Sequence, residues 1–147
     1  MQNLKDSQRL RETTRILIRK LGVLERSGAT CCSITMTQCH VIVETGRRQQ
    51  ISVNDLAQLL NLDKSTVSRT VDQLVNQGLL LREPDPNDRR YVSLGLTEQG
   101  RELFLSIESR MENYFGEILA AIPEEKQSQI IESLQILTEA LKGTRCC

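Results

Sequence analysis

The stretch CCSITMTQCH, residues 31–40, holds Cys31, Cys32, Cys39 and the chain's one histidine, His40, while Cys146 and Cys147 complete a total of five cysteines. Thiolates are soft ligands, so this set suits Cu(I), Zn(II) or trivalent arsenic, the last preferring about three sulfurs and hence both segments together. Exposed thiols also invite oxidation to a disulfide. The pairs are adjacent rather than spaced Cys-x-x-Cys, and adjacent cysteines ring-close poorly, which argues against a dithiol oxidoreductase. His40 lies about 100° around a helix from Cys39, so the two do not easily chelate one ion. Cys39 shares a helical face with Met36 and Val43 and reads equally as a small core residue. No Ser/His/Asp arrangement, phosphate-cradling glycine loop or carboxylate pair stands out, so catalysis ranks well below binding, and no resident cofactor is required.

The elements that must position these residues follow from capping and periodicity. Leu10, Leu17, Leu21 and Leu24 recur at helical spacing over residues 4–26, with Gly28 after the expected end. Thr35 and Gln38 form a Thr-x-x-Gln capping box for a second helix reaching about Glu44. Ser52 and Asp55 repeat that pattern before Val53, Leu56, Leu59 and Leu60, a short third helix. Asp63 caps a fourth, whose apolar face is Val67, Val71, Leu74 and Val75 and whose end is Gly78. Residues 79–96 then change period: Val92, Leu94 and Leu96 alternate with polar or small residues as a half-buried strand does, and EPDPND supplies the turn of a β-hairpin. Thr97 caps a helix carrying Phe104, Ile107, Met111, Tyr114 and Ile118. A last helix begins near Pro123 and carries Ile130, Leu134, Leu137 and Leu141.

The chain of 147 residues has 19 basic and 19 acidic side chains and zero net charge, so any basic surface must be local. No secretory h-region or membrane-length apolar run is present, and an odd cysteine number is a poor disulfide framework. The expectation is a cytoplasmic protein of mainly α structure with a small β-hairpin and no membrane partner.

Helix, turn, helix, hairpin is the winged helix-turn-helix order. Opposite its apolar stripe the fourth helix presents Ser65, Thr66, Ser68, Arg69 and Gln73, with Lys64 at its N-terminal end, types suited to base edges and phosphates in a major groove. Arg89 and Arg90 protrude on a hairpin tip held by Asp85 and Asp88, where an arginine can enter a neighbouring minor groove. A solvated helix and a solvated turn are the plain alternatives.

The run LLNLDKSTVSRTVDQLVNQGLLLREPDPNDRRYVSLGLTEQG resembles the core of the MarR (multiple antibiotic resistance regulator) family of transcription factors. Thr66, Arg69, Leu74, Gly78-Leu79-Leu80, Asp88-Arg89-Arg90 and Thr97-x-x-Gly100 carry the likeness in order and separation, and Val67 departs mildly from it. The resemblance implies one MarR-like domain over residues 1–147. In it a winged helix-turn-helix lobe at 35–96 is inserted between dimerisation helices at 4–30 and 97–142. It further implies a homodimer on a pseudo-palindromic operator in double-stranded DNA, repression relieved by an effector, a wing arginine (Arg90) in the minor groove and a wing aspartate (Asp88) bracing it. Two effector classes stay open: a soft metal, metalloid or oxidant acting on Cys31, Cys32, Cys39, Cys146 and Cys147, or a small organic, phenolic-type ligand with the cysteines merely structural. A thiol oxidoreductase and a protein-interaction module are the readings without DNA.

Overall fold

The computed structural model describes residues 2–32 and 34–144, with side chains over 5–22 and 34–144. Its elements run α1 (Gln2–Cys32), α2 (Met36–Arg48), β1 (Ile51–Ser52), α3 (Val53–Leu60), α4 (Lys64–Asn76), β2 (Leu80–Pro84), β3 (Val92–Leu96), α5 (Glu98–Ala120) and α6 (Glu124–Leu141). The chain divides within α5 into two compact units, residues 1–105 and 106–147.

In the first unit α2, α3 and α4 begin where capping side chains satisfy first-turn amides. Thr35 Oγ1 accepts from Gln38 N at 3.2 Å while Gln38 Oε1 accepts from Thr35 N at 3.0 Å, a complete capping box on α2. Ser52 Oγ accepts from Asp55 N at 3.1 Å. The reciprocal bond from Ser52 N is not formed among the described residues, because the aspartate side chain is one methylene shorter than the Glu or Gln of a full box. Asn61 ends α3 in the left-handed region (φ 55°), which its short amide tolerates, and Asp63 opens α4 two residues later.

Val41 and Ile42 of α2, Leu56 of α3, Val67, Val71 and Leu74 of α4, Leu80 of β2 and Leu94 of β3 are all fully buried. They form the core behind α4, each contributing roughly 1.5–3 kcal/mol of apolar burial. The hairpin pairs Leu80 with Leu96 and Pro84 with Val92. β1 adds a third antiparallel strand, pairing Ile51 with Leu94, so the sheet order is β1-β3-β2 rather than the two-stranded hairpin expected. Two residues are too few to show an alternating pattern.

Two close approaches fix the start of α5. A Cβ on Gly100 would lie 2.0 Å from the Leu79 carbonyl oxygen, and one on Gly46 would lie 2.5 Å from the Phe104 ring. Thr97 Oγ1 accepts from Gly100 N (2.9 Å) and donates to Gly78 O (2.6 Å), tying the cap of α5 to the end of α4.

Two expectations are corrected. The first helix does not stop near residue 26 but continues to Cys32, so Cys31 and Cys32 close α1 instead of lying in a loop. Gly28 is carried inside the helix at a cost of about 1 kcal/mol against alanine. Leu59, expected on the apolar face of α3, is 44% exposed; Leu56 and Ala57 define that face. The stripe on α1 is uncovered, with Leu10, Leu17 and Leu21 exposed in the single chain.

In the second unit, Gln127 Nε2 donates to Leu119 O (3.0 Å) and Ile122 O (3.2 Å), closing carbonyls at the end of α5 from the first turn of α6. Glu124 and Glu125 occupy that first turn, where the helix dipole favours acidic residues. No residue of α6 is buried: Ile130, Ile131, Leu134 and Leu141 are exposed, with Leu141 at 64%.

Candidate nucleic-acid interface

The exposed side of α4 is built from its cap outward. Asp63 Oδ2 accepts from Thr66 N at 3.1 Å, and the same carboxylate accepts from the hydroxyls of Ser65 and Thr66, the latter at 2.7 Å. The Ser65 and Thr66 hydroxyl bonds, with the Thr66 amide, hold the Asp63 carboxyl well below the usual carboxylate range. Both hydroxyl protons are committed inward, so Ser65 and Thr66 meet a ligand as acceptors. Lys64, Ser65, Arg69 and Gln73 are exposed and Thr66 and Ser68 half-buried, opposite buried Val67, Thr70, Val71 and Leu74. Among the described residues Lys64, Arg69 and Arg89 make no ion pair.

At the wing tip Asp85 Oδ1 accepts from Asn87 N (2.8 Å) and Asp88 N (3.2 Å), and the turn is closed by Asp85 N donating to Tyr91 O at 2.9 Å. Arg90 donates Nε to Asp88 Oδ1 (3.0 Å) and Nη2 to Asp88 Oδ2 (2.8 Å) while remaining 85% exposed, a fork-to-fork pair that presents the guanidinium outward. The Arg90 side chain and then its amide lower the Asp88 pKa, and Asp88 in turn raises that of Arg90.

Two long-range side-chain bonds were not legible as local signals. Arg82 of β2 pairs with Asp72 of α4, so it braces the wing against the helix and is not the unencumbered phosphate ligand that a count of basic residues suggests. Gln38 of α2 donates Nε2 to Gln73 Oε1 on α4 at 3.1 Å. Asp72 and Gln38 are the members of this site that sequence reasoning missed, although Gln38 was visible as a cap.

A buried-stripe helix behind an aspartate cap, followed by a braced arginine wing, invites comparison with known proteins. The model of the MarR family matches residues 34–92, from just before the α2 cap to the first residue of β3. Over those residues the chain is similar to the MarR family of winged helix-turn-helix transcriptional regulators. Among its relatives, the uncharacterized HTH-type transcriptional regulator YdgJ of Bacillus subtilis is 29% identical over 126 residues, 84% of this chain and 77% of that one. The HTH-type transcriptional regulator BilQ of Clostridium symbiosum is 24% identical over 77% of this chain and 78% of its own length. Streptococcus pneumoniae FabT, solved in complex with DNA, superposes with a TM-score of 0.83 at 22% identity, covering 92% of this chain and 96% of that one. Wild-type MarR from E. coli gives 0.72 at 22% identity, covering 87% and 95%.

The MarR match takes in Cys39 and leaves Cys31, Cys32, Cys146 and Cys147 outside it. Cys39 carries a half-buried thiol on α2, and its face-mates Met36 and Val43 are likewise half-buried, off the buried face of Gln38, Val41, Ile42 and Thr45. It is therefore at the margin of the core. The side chains of Cys31 and Cys32, and Cys146 and Cys147 altogether, lie outside the described residues. Among the described residues no three Cys, His, Asp or Glu side chains gather as a metal site, and no helix is long and apolar enough to cross a membrane.

Proposed function

We propose that this chain is a MarR-family homodimeric repressor that binds a pseudo-palindromic operator in duplex DNA and is released by an effector. The observation that carries the reading is the pairing of a polar, exposed α4 face with an arginine held out at the wing tip by Asp88. Lys64, Ser65, Thr66, Ser68, Arg69 and Gln73 then serve the major groove and Arg89 and Arg90 the adjacent minor groove, with Asp88 bracing Arg90. FabT and MepR, solved in complexes with DNA, lend support as proteins of the same fold. The dimer is supported by the apolar side chains that each unit leaves exposed, Ile18 on α1 in the first and Phe115 and Ile136 on distal α5 and α6 in the second, since large exposed apolar side chains in number mark an interaction site.

For the effector the reading is thiol chemistry, a soft metal, a metalloid or an oxidant acting at the cysteine pairs. Its support is that Cys31 and Cys32 close α1 three residues before Thr35, the cap of the helix bonded to α4. An organic effector with structural cysteines is the competing outcome. Mobility shift of the parent, a Cys32→Ser variant and a chain ending at Arg145 on the upstream intergenic DNA, titrated with arsenite, metal ions, peroxide and phenolic acids, tests both levels. The proposal expects a retarded complex that thiophilic reagents release from the parent and not from the variants. No complex refutes DNA binding; release of all three chains by phenolic acids alone refutes the thiol switch.

A further inference from the structure

Gln38 stands at the third position of α2, 5% exposed, and uses the two ends of its amide in different directions. Its Oε1 accepts from Thr35 N at 3.0 Å, and its Nε2 donates to Gln73 Oε1 at 3.1 Å. The polarity of this chain of bonds is forced. A backbone N–H can only donate, so the Thr35 amide decides which end of Gln38 is oxygen. The opposite end is then Nε2, which can only donate, and Gln73 must answer with its oxygen. A main-chain amide at the cap of α2 thereby sets the orientation of a side chain on α4. Gln73 is exposed, and the end left for a ligand is its Nε2 with two N–H donors.

We infer that Gln38 is a positioning residue for DNA recognition, holding Gln73 as a donor toward acceptor atoms on DNA: a phosphate oxygen or the N7/O6 edge of guanine. The inference rests on the reading of α4 as the recognition helix. A glutamine recognises adenine by donating to N7 while its oxygen accepts from N6–H. Here Gln38 already occupies one of that oxygen's two lone pairs and turns it inward, which reduces adenine's advantage and leaves acceptor-rich partners favoured.

Gln38→Glu inverts this logic without removing the cap. One carboxylate oxygen accepts from Thr35 N, as in a glutamate capping box, and the other can only accept, so Gln73 must turn Nε2 inward and present its oxygen to DNA. Affinity for the upstream DNA, and for a pool randomised at each position, is measured at about pH 8, where the carboxyl is ionised. The chains are the parent, Gln38→Glu, Gln73→Ala and the double variant. Gln38→Glu should weaken binding about tenfold. A loss equal across sequences identifies a phosphate partner; a changed base preference at the one position that Gln73→Ala makes indifferent identifies a base edge. In the Gln73→Ala background the same change should have an effect of about twofold or less, separating the turned amide from the added charge. Equal losses in both backgrounds, or none in either, would overturn the inference. A parent that binds no duplex would instead overturn the reading of α4. Side-chain amide NMR of the free parent and Gln73→Ala tests the bond itself whether or not the Glu variant folds. One Gln38 amide proton should exchange slowly in the parent and fast in Gln73→Ala; equal exchange overturns the inference.

Discussion

Arg90 matters through where it is held rather than through its charge alone. The Asp88 fork fixes both its Nε and Nη2 while leaving it open to solvent, so in the proposed DNA-binding role its ordering would be complete before DNA arrives. Arg90→Ala should weaken operator binding by about an order of magnitude with dimerisation unchanged, read by mobility shift beside sedimentation. Asp63 has the opposite kind of role, since its carboxylate orients Ser65 and Thr66 and caps α4. Its pKa is depressed in the folded chain, so its contribution is complete above the unfolded value, about 4, and is lost as pH falls below that through the folded value. Thermal melts of Asp63→Asn, which still caps, should therefore show a shallower acid-side fall than the parent, with no difference in slope between about pH 5 and 7. Thr45 is a different case: it is fully buried, and its Oγ1 has no hydrogen-bond partner among the described residues. Thr45→Val removes that hydroxyl at nearly constant shape and should raise stability by about 1 kcal/mol in chemical denaturation. A loss of stability there would mean that the hydroxyl is engaged.

At the scale of elements, α5 is locked to the winged lobe through Gly100. A methyl at that position meets the Leu79 carbonyl at 2.0 Å, backbone against backbone, so relief requires moving the start of α5 or the entry to β2. Gly100→Ala should cost about 2 kcal/mol or more, read as a lowered denaturation midpoint, although alanine is the better helix former. Much of this architecture was readable because its signals are local: the Thr35–Gln38 box, the Asp63 cap, the Pro-Asp turn and the Val67/Val71/Leu74 stripe each lie within a few residues. What escaped was non-local or faint. Gly28 looked like a helix end, yet glycine inside a long helix carries only a modest penalty, and α1 runs on to Cys32. β1 is two residues long and exists only because Leu94 and Ser93 offer it a partner. The Gln38–Gln73 and Arg82–Asp72 bonds join residues 35 and 10 positions apart, and no periodicity records which exposed side chains will meet across elements. The candidate DNA face was thus legible as a set of residues, while its internal wiring was not.

The whole molecule carries no net charge, and two arginines of the winged lobe, Arg82 and Arg90, are already paired with aspartates. On the proposed function, attraction to DNA would come from a local group, Lys64, Arg69 and Arg89 with the outward face of Arg90, doubled by a second copy. In a dimer two α4 helices would enter successive major grooves, placing half-sites about one helical turn apart. The apolar side chains exposed on α1, distal α5 and α6 supply material for that second copy to cover. Oligomer and DNA affinity are then one question, because a monomer offers about half of the phosphate contacts. The most direct measurement is the affinity for the upstream duplex, titrated from about 50 to 200 mM salt. If a dimer places its cationic side chains on six or more phosphates, affinity should fall roughly a thousandfold over that range. An affinity that stays flat with salt would contradict the assignment of α4 and the wing to DNA.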